Sequence, residues 1–269
     1  MHFLHKKIYL SLFLIVIVFT CWAQTVADSL PAQTDSPYYK LNKAYIVGGF
    51  DALKYTAAKP LHFTRKDYTR LAIIAGSTAF LMAGDYEIKQ FVQRNRQPFT
   101  NEVATIIEPT GTYYPMFLMA GMYVTSKLTK NKKLEHASLA AGKSFAVSML
   151  FNVSTKALVR RQRPAYTNNS FSYKAPFTGG RQFTSFPSGH TSAAFSVATA
   201  LALEYKHTKW VPIVSYTLAG LTGLSRIYQN RHWASDVLVG AAMSHFITKG
   251  IYYFEQRKRQ QQKIKSVPL

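Results

Sequence analysis

The chain has 269 residues, long enough for one good-sized core, and carries 33 Lys and Arg against 12 Asp and Glu, a formal net charge of +21. Such an excess calls for an anionic partner: phosphate groups, nucleic acid or an acidic membrane. Hydrophobic residues make up 48% of the chain and aromatics 14%, too apolar for a disordered basic tail, and their gathering into blocks favours a membrane over nucleic acid.

In chain order, Lys6 and Lys7 precede the apolar run Ile8 to Thr20 and then Ala23, the pattern of a secretory signal over residues 1–23 with cleavage after Ala23; an uncleaved anchor is the alternative. The lone cysteine, Cys21, falls inside that segment, so no disulfide or cysteine metal site is expected afterwards. Residues 24–67 hold Pro31, Pro37, Gly48, Gly49 and Pro60 and read as an irregular lead-in. Apolar blocks with helical character follow at Leu71–Gly84, Tyr113–Leu128, Ala137–Val159, Thr191–Tyr205, Val211–Leu224 and Asp236–Phe254. Small residues such as Ala198, Gly220 and Gly240 recur in them and permit close helix contact. The expected architecture is therefore all-α, a bundle of five or six membrane-associated helices. It comprises one helical domain over residues 68–256 and a basic tail over 257–269.

Several blocks fall short of the roughly 20 residues that span a bilayer, which keeps a soluble or half-immersed bundle as an alternative. Basic residues at 127–133, 206–209 and 257–259 face the cytoplasm if the last five blocks cross alternately. Segments 160–190 and 225–235 then share the exported face. With a cleaved signal, block Leu71–Gly84 cannot cross once; its short length lets it lie along the membrane instead.

Three polar clusters carry the chemistry: Lys156 to Pro164 with Arg163, then Pro187-Ser188-Gly189-His190, then Ser225-Arg226 followed by His232 and Asp236. Lys156, Arg163 and Arg226 are cations of the kind that hold phosphoryl oxygens. Ser188 and Gly189 precede an apolar helix, where free N–H groups and a hydroxyl bind anions; an ordinary helix cap reads equally well. His232 and Asp236 are four residues apart, on one face of a helix beginning near His232. His62, His136, His207 and His245 read as surface or packing histidines. Asp85 and Glu87 form no recognisable metal pair.

Order and spacing together resemble the three-part signature of the type 2 phosphatidic acid phosphatase and vanadium haloperoxidase superfamily, over about residues 110–255. The resemblance implies hydrolysis of a phosphomonoester or diphosphate, of a lipid in the membrane-associated branch, through a phosphohistidine. It makes His232 the nucleophile, Asp236 the carboxylate that orients it, and His190 the general acid and then base. Lys156, Arg163, Ser188, Gly189 and Arg226 bind the phosphate, without a metal or organic cofactor. The partners implied are a phosphorylated lipid or small phosphoester and a membrane, with the active site at one end of the bundle, in the periplasm or exterior, and no nucleic acid. Three other readings stay open: a periplasmic acid phosphatase on small phosphomonoesters, a vanadate-dependent haloperoxidase, which alone would carry vanadate, and a non-catalytic anion-binding membrane protein. The aromatic linker Ala165–Phe186 reads either as a lid with an aromatic wall or as a loop packing its own side chains over the helix ends.

Overall fold

The computed structural model describes residues 40–265; the signal-like stretch 1–23 lies outside them. Eight α-helices and four short 3-10 turns account for the ordered elements among these residues. The helices are α1 Lys43–Ala58, α2 Arg65–Arg94, α3 Pro98–Ile107, α4 Tyr114–Leu128, α5 Lys132–Val159, α6 Gly189–Glu204, α7 Trp210–Tyr228 and α8 Ala234–Lys265.

The centre is α6, packed against α5, α7 and α8. Its sequence explains why: eleven of its sixteen residues are buried, and these are Ala, Ser, Thr, Val and Leu. Small side chains all round let three neighbours approach at once. At Gly240 on α8 an added Cβ would stand 2.7 Å from the Ser188 carbonyl oxygen, so backbone meets backbone there. Toward the far end Met122, Leu134, Ala137, Val197, Leu201 and Val211 form the largest apolar cluster.

Three expectations are corrected. The segment expected to be irregular contains α1, which continues through Gly48 and Gly49 because it is docked on the bundle: Ala52 is fully buried against Val147 and Ile251. The short block Leu71–Gly84 is part of the 30-residue α2, about 45 Å long at the usual helical rise. Among the described residues, α2 is the helix whose length and apolar composition suit a membrane crossing. Its length no longer requires it to lie along the membrane. The basic tail is also helical as far as Lys265, as the last turns of α8.

Large apolar residues point outward on several helices, including Phe80 at 81% exposure, Phe117 at 64%, Val153 at 58% and Ile213 at 66%. Exposure on this scale matches helix faces that meet lipid. Polar pairs close the bundle at the end away from the three clusters. Lys143 donates to Glu255 Oε1 at 2.6 Å, joining α5 to α8, and His136 Nδ1 lies 3.0 Å from Glu204 Oε2. Tyr45 of α1 donates to the Leu139 carbonyl at 2.9 Å. The helices consequently run α2 toward the cluster-bearing end, α4 away, α5 toward, α6 away, α7 toward and α8 away.

Candidate active site

All three polar clusters meet at one end of the bundle, where α5 stops and α6 and α8 begin. Helix α5 ends at Arg160, whose φ of 49° turns the chain out of the helix. Lys156 is one turn earlier, and its ammonium donates to the Thr184 carbonyl at 3.0 Å and to the Pro187 carbonyl. That fixes the loop before α6 over the end of α5. Arg163 Nη2 donates to Thr184 Oγ1 at 3.1 Å on the same loop.

Ser188 is the N-cap of α6 and accepts from the Thr191 N–H and hydroxyl, at 3.5 and 2.8 Å. It is fully buried, and because the hydroxyl is the acceptor in both bonds its own hydrogen remains to be donated. Gly189 lies beside the Lys156 stem, 3.7 Å from where a Cβ would reach. His190 follows in the first turn of α6, its side chain 26% exposed. The 3-10 turn Glu108–Gly111 lies against it, and Gly111 is required there: an added Cβ would stand 2.5 Å from His190 Cβ.

Arg226 closes α7, and Asn230 with φ of 58° reverses the chain so that His232 N–H reaches back to the Arg226 carbonyl. Asn tolerates that left-handed conformation better than most residues. His232 then immediately precedes α8, and Asp236 sits in the first turn of α8. His232 Nδ1 stands 3.7 Å from Asp236 Oδ2, an ion-pair contact rather than a formed hydrogen bond. Nε2 is thereby left as the nitrogen turned away from the carboxylate. Asp236 is itself fixed by the Trp233 N–H at 2.9 Å, the Ser185 hydroxyl at 2.5 Å and Arg161 Nη1 at 2.8 Å.

The electrostatics suit an anion. His232 is pushed down to about 4, first by burial and then against the lift from Asp236, with Lys156 and Arg163 adding to the depression. The ring is neutral at physiological pH, with a lone pair on offer. Arg163 Nε, Arg226 Nε and His190 Nε2 are buried without hydrogen-bond partners. Buried donors of this kind are rarely left unfilled, and an anion accepting from several at once satisfies them.

Four further side chains in this region were not among the residues expected from the sequence. Glu108 Oε1 accepts from Arg226 Nη1 at 3.0 Å and lies 3.9 Å from His190 Nε2. Arg161, two residues before Arg163, is fully buried between Asp236 and Asp85. Ser185 supports Asp236 as above. Asp85, which with Glu87 formed no recognisable metal pair, is drawn in from α2 to Arg161. Arg161 could have been flagged by its place inside the first cluster; Glu108 and Asp85 depend on which helices meet.

The linker Ala165–Phe186 is held from both sides. Arg160 donates to the Thr178, Gly179 and Gly180 carbonyls, and Lys89 of α2 to those of Pro164 and Thr167. Phe183 is buried, while Tyr166, Phe171 and Phe177 are 58%, 57% and 77% exposed.

The family model described as the PAP2 superfamily matches residues 137–260. A phosphatidylglycerophosphatase B of Bacillus subtilis is 31% identical over 202 residues, which are 69% of this chain and 91% of that protein. A lipid A 1-phosphatase of Porphyromonas gingivalis is 54% identical over 65 residues, 24% of this chain and only 15% of that longer protein. The crystal structure of a transmembrane PAP2 type phosphatidylglycerolphosphate phosphatase from Bacillus subtilis superposes with a TM-score of 0.51 at 25% identity. The superposition covers 79% of this chain and 96% of that one.

Proposed function

Since the chain belongs to the PAP2 superfamily, we propose that it is a membrane-embedded phosphatase that hydrolyses the phosphate ester of a lipid through a phosphohistidine. The observation that carries this reading is the set of unfilled buried donors on Arg163, Arg226 and His190 gathered around the neutral His232.

In the proposed reaction, Lys156, Arg163 and Arg226 hold the three equatorial oxygens as negative charge spreads over them. His232 Nε2 attacks phosphorus, the N–P bond forms, and the bond to the leaving oxygen breaks. Asp236 stabilises the positive charge that the ring acquires. His190 gives its proton to the departing alkoxide, then takes one from the water that cleaves the N–P bond. Burial and the neighbouring Arg226, His232, Arg163 and Lys156 disfavour the protonated ring in the free protein, so the negative charge that favours it for the first half is brought by the bound phosphate itself. Release of inorganic phosphate returns every donor to its starting state.

Outward-facing apolar residues on α2, α4, α5 and α7 support a substrate delivered from a bilayer. The named relatives act on phosphorylated lipids, which favours a lipid monoester. Orientation follows from the basic links: the catalytic end faces outward, and residues 128–136 and the end of α8 face the cytoplasm. With α2 as a sixth crossing, α1 belongs on the cytoplasmic side.

The test is phosphate release by purified protein from phosphatidic acid, phosphatidylglycerophosphate, lipid A, undecaprenyl diphosphate and a soluble sugar phosphate, with rapid-quench trapping under alkaline work-up. Wild type should release phosphate from at least one lipid and trap label, and His232→Ala should do neither. His190→Ala should lose an alkyl phosphate far more than a nitrophenyl phosphate, whose leaving group needs no proton. Label trapped by His232→Ala, or equal loss of both substrates in His190→Ala, would overturn the assignment of roles.

A further inference from the structure

More than half of the 30 residues of helix α2 are exposed, and its buried residues are Thr78 and Asp85. A carboxylate is an unusual choice for such an anchor unless it is paired. Asp85 Oδ2 accepts from Arg161 Nη2 at 2.8 Å and from the Ser235 hydroxyl at 2.5 Å, while Oδ1 accepts from the Ser235 N–H at 3.1 Å. That N–H belongs to the first turn of α8, so a residue of α2 caps the helix that carries Asp236.

The guanidinium between the two carboxylates has no N–H to spare. Nε donates to the Ser170 carbonyl at 2.9 Å, Nη1 to Ser235 Oγ at 2.6 Å and Asp236 Oδ1 at 2.8 Å, and Nη2 to Asp85 and the Ser170 carbonyl at 2.7 Å. Asp85, Arg161 and Asp236 have fully buried side chains. One cation between two carboxylates leaves a single net negative charge. Were Arg161 paired with Asp236 alone, that charge would be cancelled behind His232.

We propose that Asp85 is a positioning residue for the reaction: by sharing Arg161 it keeps Asp236 electrostatically available to His232, and by capping α8 it fixes the turn from which both project. The inference rests on the phosphatase reading above. The groups facing His232 are Asp236 from α8, Lys156 from α5, Arg163 from the following loop and His190 from α6. Asp85 touches none of the donors left for phosphate, so it acts on the nucleophile and not on binding.

The experiment compares Asp85→Asn, Asp85→Glu and the double variant Asp85→Asn/Arg161→Gln with wild type, in kcat, KM, inhibition by inorganic phosphate, and the acid limb of kcat/KM. Asp85→Asn removes the charge at constant size. It should lower kcat on the order of 10- to 100-fold, as loss of an outer partner of an oriented histidine does. KM and phosphate inhibition should stay within about threefold, the spread left when only orientation changes. The acid limb should move to lower pH, because one negative charge behind His232 is gone. Asp85→Glu should recover much of the rate. The double variant restores the net charge of the trio, and its acid limb should return toward wild type.

Wild-type phosphate release tests the phosphatase reading; the ratio of each variant to wild type tests this inference. A folded Asp85→Asn with unchanged kcat and pH profile would overturn it. So would a rise in KM at constant kcat, or a double variant whose acid limb stays with that of Asp85→Asn. Failure of both asparagine-bearing variants to fold would also overturn it, reducing Asp85 to an anchor for α2.

Discussion

Gly111→Ala probes how tightly His190, the proposed general acid, is held. An added Cβ would lie 2.5 Å from His190 Cβ, 2.9 Å from His190 Cα and 2.8 Å from Thr222 Cγ2. Carbon pairs rest about 3.5–4.0 Å apart, so the turn Glu108–Gly111 and the start of α6 must separate by about 1 Å. Rotating a side chain cannot relieve the clash, because one of the atoms met is backbone. Overpacking of this kind costs about 1–3 kcal/mol of stability, and a 1 Å displacement of a catalytic group costs about 10²-fold in rate. Turnover of an alkyl phosphate should therefore fall about 100-fold, and that of a nitrophenyl phosphate much less, since only the former needs the proton from His190. Gly121→Ala on α4 is the control: nothing lies within 4 Å of its added Cβ, and the substitution should be silent in rate. If the two variants have the same rate and the same melting temperature, the contact does not hold His190 in place.

Acid should weaken the fold through His232. The unfolded chain protonates this ring near 6.5, whereas the folded chain keeps it neutral down to about 4; stability is therefore complete above about 6.5 and declines as the pH falls toward 4, by roughly 3 kcal/mol. Thermal unfolding at pH 7 and 4.5 should show a larger loss for wild type than for His232→Gln, and equal losses would contradict the buried neutral ring. Sidedness can be mapped by single cysteines on a Cys21→Ser background: position 168 should label from outside intact cells and position 131 only after permeabilisation. The reverse pattern would invert the proposed orientation. Replacing Lys156 with Met should raise the inhibition constant of inorganic phosphate at least tenfold, in line with loss of a charge-assisted contact; unchanged inhibition would remove Lys156 from the phosphate site.

The site was more legible in the sequence than the fold around it. Lys156, Arg163, His190, Arg226, His232 and Asp236 are polar residues packed into short stretches at helix ends, and chemistry of that density survives in a one-dimensional reading. Helix α1 did not survive it, because Gly48 and Gly49 look like breakers. A glycine inside a helix costs only about 1 kcal/mol, and at Gly48 close approach offsets that cost: a Cβ would come within 3.1 Å of Lys143 Nζ. The end of α2 was missed for a related reason. Asp85, Glu87 and Lys89 end the apolar run at Gly84, but Asp85 turns inward to Arg161 and Lys89 reaches the Pro164 carbonyl at 2.7 Å. Polarity there marks partners brought by other helices, and no local pattern can name those. Ser188 read as a cap or as an anion ligand; it forms the cap as an acceptor, which leaves its hydroxyl hydrogen for the second role.

The pair between Lys143 and Glu255 has a bearing on where this chain can be shortened. By apolar content the last block ends at Phe254, and a strongly basic extension invites trimming. Glu255 is the very next residue, its side chain 12% exposed against 3% for that of Lys143. Arg259 follows one turn later and lies 2.9 Å from the His136 ring. Cutting after Phe254 would take the carboxylate from a buried ammonium, a loss of about 3–5 kcal/mol when one partner of such a pair is removed. What looks like dispensable solubilising charge is the stitching that holds the first turns of α5 to the end of the chain, at the opposite pole from the chemistry.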